Sequence, residues 1–268
     1  MAWSVRMALP AAFLLFSGTV AIPQGTVQKP RLEEIASGKT RVIDLSYALS
    51  DKLVAWPGDA KAFEAKVNAT VEKNGYFTRS FWMLEHYGTH MDAPAHFPPG
   101  KTTLEKISAE KFFAPAVILD VRSEAERNPD YQLTVKRIEE WEEKHGKIPA
   151  GAIVVLRTGW ATRWPDVARY RNQDANGTMH FPGFSVDAAK YLLQRKISGL
   201  GCDTLSIDPG NSPDFPVHHV VLGADAFQLE NLADLKDLPE VGAFLIAAPI
   251  KLEGGSGGPV RVFALVAD

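Results

Sequence analysis

Short runs of β-branched and apolar residues recur along the chain at Val42–Leu45, Ala116–Val121, Ile153–Leu156, Ala243–Ala247 and Val260–Val266, each bounded by polar or turn-forming positions. Runs this short predict buried or half-buried strands rather than helices. Two longer segments switch to helical spacing. Val135–His145 sets Ile138 and Trp141 three apart on a charged ladder and stops at Gly146, and Val186–Lys196 begins after Ser185, a good N-cap. A short helix is also predicted through Leu32–Ile35. No Pro/Gly-rich linker divides the chain and no internal repeat appears. The pattern predicts one mixed α/β domain over residues 40–268, strands outnumbering helices, after a polar lead-in over residues 22–39 that carries Pro23 and Pro30.

The first residues follow a different pattern. Arg6 supplies a positive start, Met7–Phe16 is apolar, and Thr19-Val20-Ala21 offers small residues for cleavage, which together predict a signal peptide over residues 1–21. The apolar run is shorter than the roughly 20 residues a membrane span requires. The expectation is therefore a periplasmic or secreted bacterial protein with no membrane association after signal cleavage. Cys202, the single cysteine, has no intramolecular disulfide partner; at the end of an apolar strand-like run it reads as a small buried side chain.

Composition narrows the function. The chain is 46% hydrophobic and 23% charged, with a formal charge of -3, and it has no long basic run. Nothing here suits a nucleic-acid or anionic-membrane partner, so small-molecule chemistry is expected. Candidate chemistry concentrates in His86-Tyr-Gly-Thr-His90-Met-Asp92-Ala-Pro-Ala-His96-Phe. Seven histidines scattered over 268 residues would place about 0.3 in such a window. Gly88 and Pro94 forbid the helix of an H-E-x-x-H zinc protease, whereas positions 86, 90 and 92 share one face of an extended segment. Imidazoles with a carboxylate and no thiolate suit a catalytic divalent ion, Zn²⁺ or Mn²⁺, over a closed structural zinc site. Four candidate groups exceed what catalytic zinc usually takes from protein. His96, beyond Pro94, is the natural proton carrier.

Other motifs weigh less. His145 and His180, taken singly, read as surface or hydrogen-bonded residues. His218, His219 and Glu230 form a weak second patch. Gly254-Gly-Ser-Gly-Gly258 loosely matches a nucleophile elbow, but Pro259 and a strand-like run follow it and no histidine lies downstream, so a turn is predicted. Trp56, Phe81, Trp82 and Phe97 are candidates for the core or for an aromatic pocket.

The histidine-rich run resembles the H-x-G-T-H-x-D-x-P-x-H signature of the cyclase family of metal-dependent hydrolases, which contains bacterial kynurenine formamidases and isatin hydrolases. Trp56-Pro-Gly-Asp59, Arg157-Thr-Gly-Trp160, Gly201-Cys-Asp203 through Ser206-Ile-Asp208, Pro216-Val-His218, Glu230-Asn-Leu232 and Gly254–Pro259 resemble family segments in family order. The resemblance runs from about Val42 to the C-terminus and implies the family's swivelling β/β/α-like fold. It implies metal ligation by His86, His90 and Asp92, with His218 and Glu230 completing a second ion site in a two-metal arrangement. His96 becomes the proton donor and acceptor, and Trp56 a substrate contact. A one-metal arrangement, as in isatin hydrolases, gives Glu230 another role. The resemblance also implies a homo-oligomer.

The expected activity is metal-dependent hydrolysis of a C–N amide bond of an N-formylkynurenine-like arylformamide, by metal-bound hydroxide with His96 as proton shuttle. The alternative is a cyclic amide or lactone, as in isatin hydrolase. From another class, the alternative is a non-catalytic secreted metal- or ligand-binding protein. The signal-like start is unexpected for a cytosolic tryptophan-degrading enzyme, and the segments 122–147 and 163–183 are longer than a minimal family member requires. Both bear on substrate rather than chemistry.

Overall fold

A computed structural model describes residues 32–59, 61–233 and 235–267. The expected signal segment and most of the lead-in lie outside the described residues. In chain order the elements are α1 (Leu32–Ala36), β1 (Thr40–Asp44), β2 (Phe63–Ala69), α2 (Val71–Asn74), β3 (Thr78–Met83), β4 (His90–Asp92), β5 (Phe113–Asp120), α3 (Arg122–Arg127), β6 (Gln132–Leu133), α4 (Val135–His145), β7 (Ile153–Arg157), α5 (Val167–Arg171), β8 (Gly183–Phe184), α6 (Val186–Gln194), β9 (Gly199–Cys202), α7 (Pro216–Gly223), β10 (Phe227–Glu230), β11 (Phe244–Pro249) and β12 (Gly257–Ala267). The five predicted strands are β1, β5, β7, β11 and β12. The two main predicted helices are α4 and α6, and Ser185 caps α6 by accepting from the Ala188 amide. Helix α6 ends two residues early because Lys196 adopts a left-handed φ of 57°.

Strands β5, β7, β9 and β10 run parallel. Antiparallel β11 follows β5, and β12 follows β11. Short β4 then joins β10 to the first residues of β12, closing a seven-stranded barrel, while β1 pairs the C-terminal part of β12. Strand alternation divides the apolar residues into two layers. Ala116, Ile118, Ile153, Val155, Phe227, Leu229 and Met91 fill the barrel. Val117, Leu119, Val154, Leu156, Leu200 and Cys202 face Ile138 and Trp141 of α4, Ala188 and Leu192 of α6, and Val217 and Val221 of α7. Burial on both sides explains the continuous apolar runs of the parallel strands.

Glu142 ties α4 to α6. Its buried carboxylate accepts from Arg195 (2.7 Å), Lys147 (2.7 Å) and Tyr191 (2.8 Å). Burial alone would raise its pKa, but these donors outweigh it and bring the group down to about 2. A depressed carboxyl stabilises the fold above its unfolded pKa and loses that contribution as pH falls through the folded value. E142Q is therefore expected to lower the melting temperature at pH 7 by roughly 4–8 °C, for about 2 kcal/mol, with the difference shrinking between pH 4.5 and about 2. Thermal melts of both proteins at pH 7 and pH 3 check it; an equal difference at both would contradict the charge argument.

Hairpin β2–β3 carries Phe81 and Trp82 at 65% and 54% exposure. These two aromatics belong to neither the core nor the pocket. By contrast, Trp56 packs partly buried on a third cluster formed by Val54, Trp160, Tyr170, Met179, Phe181 and Leu205.

Candidate active site

Strand β4 exists because it is paired on both edges, and its alternation sends Met91 into the barrel and His90 and Asp92 to the opposite face. Across the β10 ladder, Glu230 lies opposite His90 and Gln228 opposite Asp92, on that same face. Helix α7, opened by Pro216, covers the face and supplies His218 from its first turn. His218 is buried and His219 exposed, which separates the two neighbours in space. His86 departs from expectation: the chain turns between Glu85 and Thr89, so His86 comes from a loop and does not share an extended segment with His90 and Asp92. It still reaches them, with Nδ1 2.6 Å from Asp92 Oδ1.

Each of these three histidines has one ring nitrogen anchored away from the centre and the other turned toward the carboxylates. His90 Nδ1 lies 3.0 Å from the Gly88 carbonyl, so it donates there, and Nε2 faces Asp92 Oδ1 at 3.2 Å and Glu230 Oε2 at 3.4 Å. His218 Nδ1 lies 2.6 Å from Asp208 Oδ2, and Nε2 faces Glu230 Oε1 at 3.2 Å and Asp92 Oδ2 at 3.5 Å. His86 Nε2 is held by Ser256 Oγ at 2.9 Å, leaving Nδ1 to Asp92. In neutral imidazoles these facing nitrogens carry lone pairs. Lone pairs set against two carboxylates repel unless a cation lies between them. Asp92 Oδ2 is moreover buried and accepts no hydrogen bond.

Without a metal, protons take that place. Burial opposes charge on His90, yet Asp92 and Glu230 overcome it and raise its pKa to about 9. His218 likewise rises well above the usual histidine range against its burial, through Asp208, Asp92 and Glu230. Asp92, despite complete burial, is held well below the usual carboxylate range by His90, His218 and His86. This donor set fits a divalent cation, which serves all these groups at once and releases the protons. Among the described residues two groupings have the reach for it, His86–Asp92–His96 and His90–Asp92–Glu230, and they share Asp92.

His96 is half-buried in the 3₁₀ turn Pro94–His96, its ring stacked on His86 at 3.8 Å. Burial is the main cause that lowers its pKa, to about 4, and it favours the neutral imidazole. The site opens into a cavity of about 280 Å³ whose apolar wall is Val54, Trp56, Phe97, Leu205 and Phe215. Trp56 and Phe97 are thus placed at the pocket, and all six sequence-derived candidates around the metal centre converge. His145 and His180 lie elsewhere, paired with Glu240 and Asp130. Cys202 is buried, and residues 254–256 lead through a turn into β12, which begins at Gly257 and Gly258.

Sequence reasoning gave no role to Asp208, Ser256 or Glu85. Asp208 accepts the Val217 and His218 amides as well as the ring of His218. Its sequence signal was its place in the family-like segment Ser206-Ile-Asp208; the helix opened by Pro216, whose free amides require an acceptor, was not predicted. Ser256 sat in a motif rejected as a nucleophile elbow, and Glu85 carried no signal.

The Cyclase family model matches residues 43–209, a span that contains the whole His86–His96 run and Asp208. The chain belongs to the cyclase family. An isatin hydrolase of Roseibium aggregatum is 37% identical over 249 residues, covering 87% of this chain and 94% of that protein. A kynurenine formamidase of Bacillus thuringiensis (strain Al Hakam) is 30% identical over 224 residues, covering 82% and 94%. The crystal structure of an isatin hydrolase bound to the product analogue thioisatinate matches with a TM-score of 0.81 at 35% identity, covering 88% of this chain and 96% of that one. As a cyclase-family member the chain is a hydrolase. His218 and Glu230 lie beyond the family model, so their place in the site rests on geometry.

Proposed function

We propose that this cyclase-family enzyme hydrolyses the C–N bond of a compact aryl amide at a divalent metal centre held by His86, His90, Asp92, His218 and Glu230. The observation that carries the proposal is the convergence of three imidazole lone pairs on two buried carboxylates at the floor of an aromatic pocket. The imidazole and carboxylate donors suit Zn²⁺ or Mn²⁺, as one ion or as two sharing Asp92. Such an ion supplies Lewis acidity and a water that ionises near neutral pH.

The chain's own residues do the rest. Trp56, Phe97 and Phe215 hold a flat ring against the floor, and the apolar wall excludes bulk water around the carbonyl. Water adds to the carbonyl carbon and the C–N bond breaks. Neutral His96 accepts a proton from the water and returns it to the departing nitrogen, so no redox change occurs. Asp208 keeps His218 oriented throughout.

Two substrate classes follow. A neutral cyclic amide of the isatin type suits a wall that presents no Lys or Arg among its described residues, and an isatin hydrolase is the relative at 37% identity. An open arylformamide such as N-formylkynurenine is the second reading, because Asp59 at the pocket provides a partner for its ammonium group. The test is kcat/KM for isatin and for N-formylkynurenine at matched metal loading. Isatin is expected to lead by at least about tenfold. A lead for N-formylkynurenine would reverse the order, and turnover of neither would reject the amide reading.

A further inference from the structure

We propose that Ser256, held by Glu85, is a positioning residue that makes Nδ1 the metal-facing atom of His86 and fixes the ring on which His96 stacks. The proposal rests on the metal-centre reading above. It gives a role to the glycine-rich segment 254–258, which does not fit a nucleophile elbow.

Hydrogen-bond direction carries the argument. Glu85 Oε2 lies 2.6 Å from Ser256 Oγ and also accepts the backbone amides of Ser256 at 2.8 Å and Gly257 at 3.2 Å. A carboxylate has no proton to return, so the Ser256 hydroxyl proton is committed to Glu85. The same oxygen must then accept from His86 Nε2 at 2.9 Å. Nε2 therefore carries the proton, and the Nδ1 lone pair faces Asp92. Anchoring of the outer nitrogen is what orients a ligating histidine and raises its basicity.

Ser256 acts through its backbone as well. Its carbonyl accepts from the Ala93 amide at 2.8 Å, fixing the start of the turn that carries His96. The next residue must be glycine, because a Cβ at Gly257 would fall 2.4 Å from His86 Cε1. Ligand and proton carrier are thus set by one segment at the start of β12.

The experiment compares metal-stripped wild type, S256A, S256T and E85Q, each titrated with Mn²⁺ against a chromophoric chelator, with circular dichroism melts of the metal-free proteins alongside. S256A removes the hydroxyl but keeps every backbone bond, and is expected to bind 10–100-fold more weakly. S256T keeps a hydroxyl and should remain within about threefold of wild type. E85Q can donate to Ser256 and reverse the chain, so it should weaken binding like S256A and serves if S256A does not fold. Wild-type affinity in S256A or, should S256A not fold, in E85Q overturns the proposal, as does S256T binding no better than S256A. A wild type that takes up no metal overturns the metal-centre reading itself, a result distinct from these.

Discussion

Replacing Asp92 with Asn is expected to abolish tight metal binding and to lower kcat/KM by about 10³-fold or more, a loss of about 4 kcal/mol. Among the described residues, Asp92 is the one group that His86, His90 and His218 all face. Asparagine keeps its size but removes the charge and places an amide donor at one of the two oxygen positions. Every other ligand would remain, so the effect isolates the carboxylate. Metal content of the purified variant, its kcat/KM and its circular dichroism spectrum make the measurement. A folded D92N that retains stoichiometric metal and activity within tenfold of wild type would remove Asp92 from the centre.

His96→Ala is expected to spare metal content and lower kcat by 10²–10⁴-fold. The ring stacks on His86 inside the pocket, and its burial favours the neutral form, the one that can accept a proton. His96 also stands within reach of Asp92 and His86 as a third donor, and metal analysis of the variant separates the two roles. Metal lost from H96A would make His96 a ligand. Turnover unchanged with metal retained would leave it no part in proton transfer.

The site was more legible in the sequence than the fold that carries it. Three of the proposed ligands and the proposed proton carrier sit in a short run because one three-residue strand and its flanking turns hold all four, and short-range spacing survives in a sequence. His218 and Glu230 were linked to that run only by family resemblance, since no local pattern says that α7 lies over β10. Strands β5 and β7 announced themselves because barrel and helices bury them on both sides, and β11 because its apolar run continues over a half-buried outer face. Strand β9 did not: it reads Gly-Leu-Gly-Cys, and its glycines are required because a Cβ at Gly199 would meet the Phe227 ring at 2.6 Å. Hairpin β2–β3 was missed for the opposite reason, having no buried face to impose alternation. The path of His86 was misread as extended because a turn at Glu85–Thr89 leaves the same residue spacing as a strand.

Strand β4 has consequences for the order in which the molecule is made. Its two edges are filled by Glu230 and Pro259, about 140 and 170 positions beyond their common partner His90. Contacts so distant along the chain form late and slowly. A nascent chain therefore carries His86, His90, Asp92 and His96 for most of synthesis with nothing beneath or beside them. Metal capture belongs to the finished barrel, and an ion held there ties residues 86–92 to residues 218–230, about 130–140 positions later in the chain.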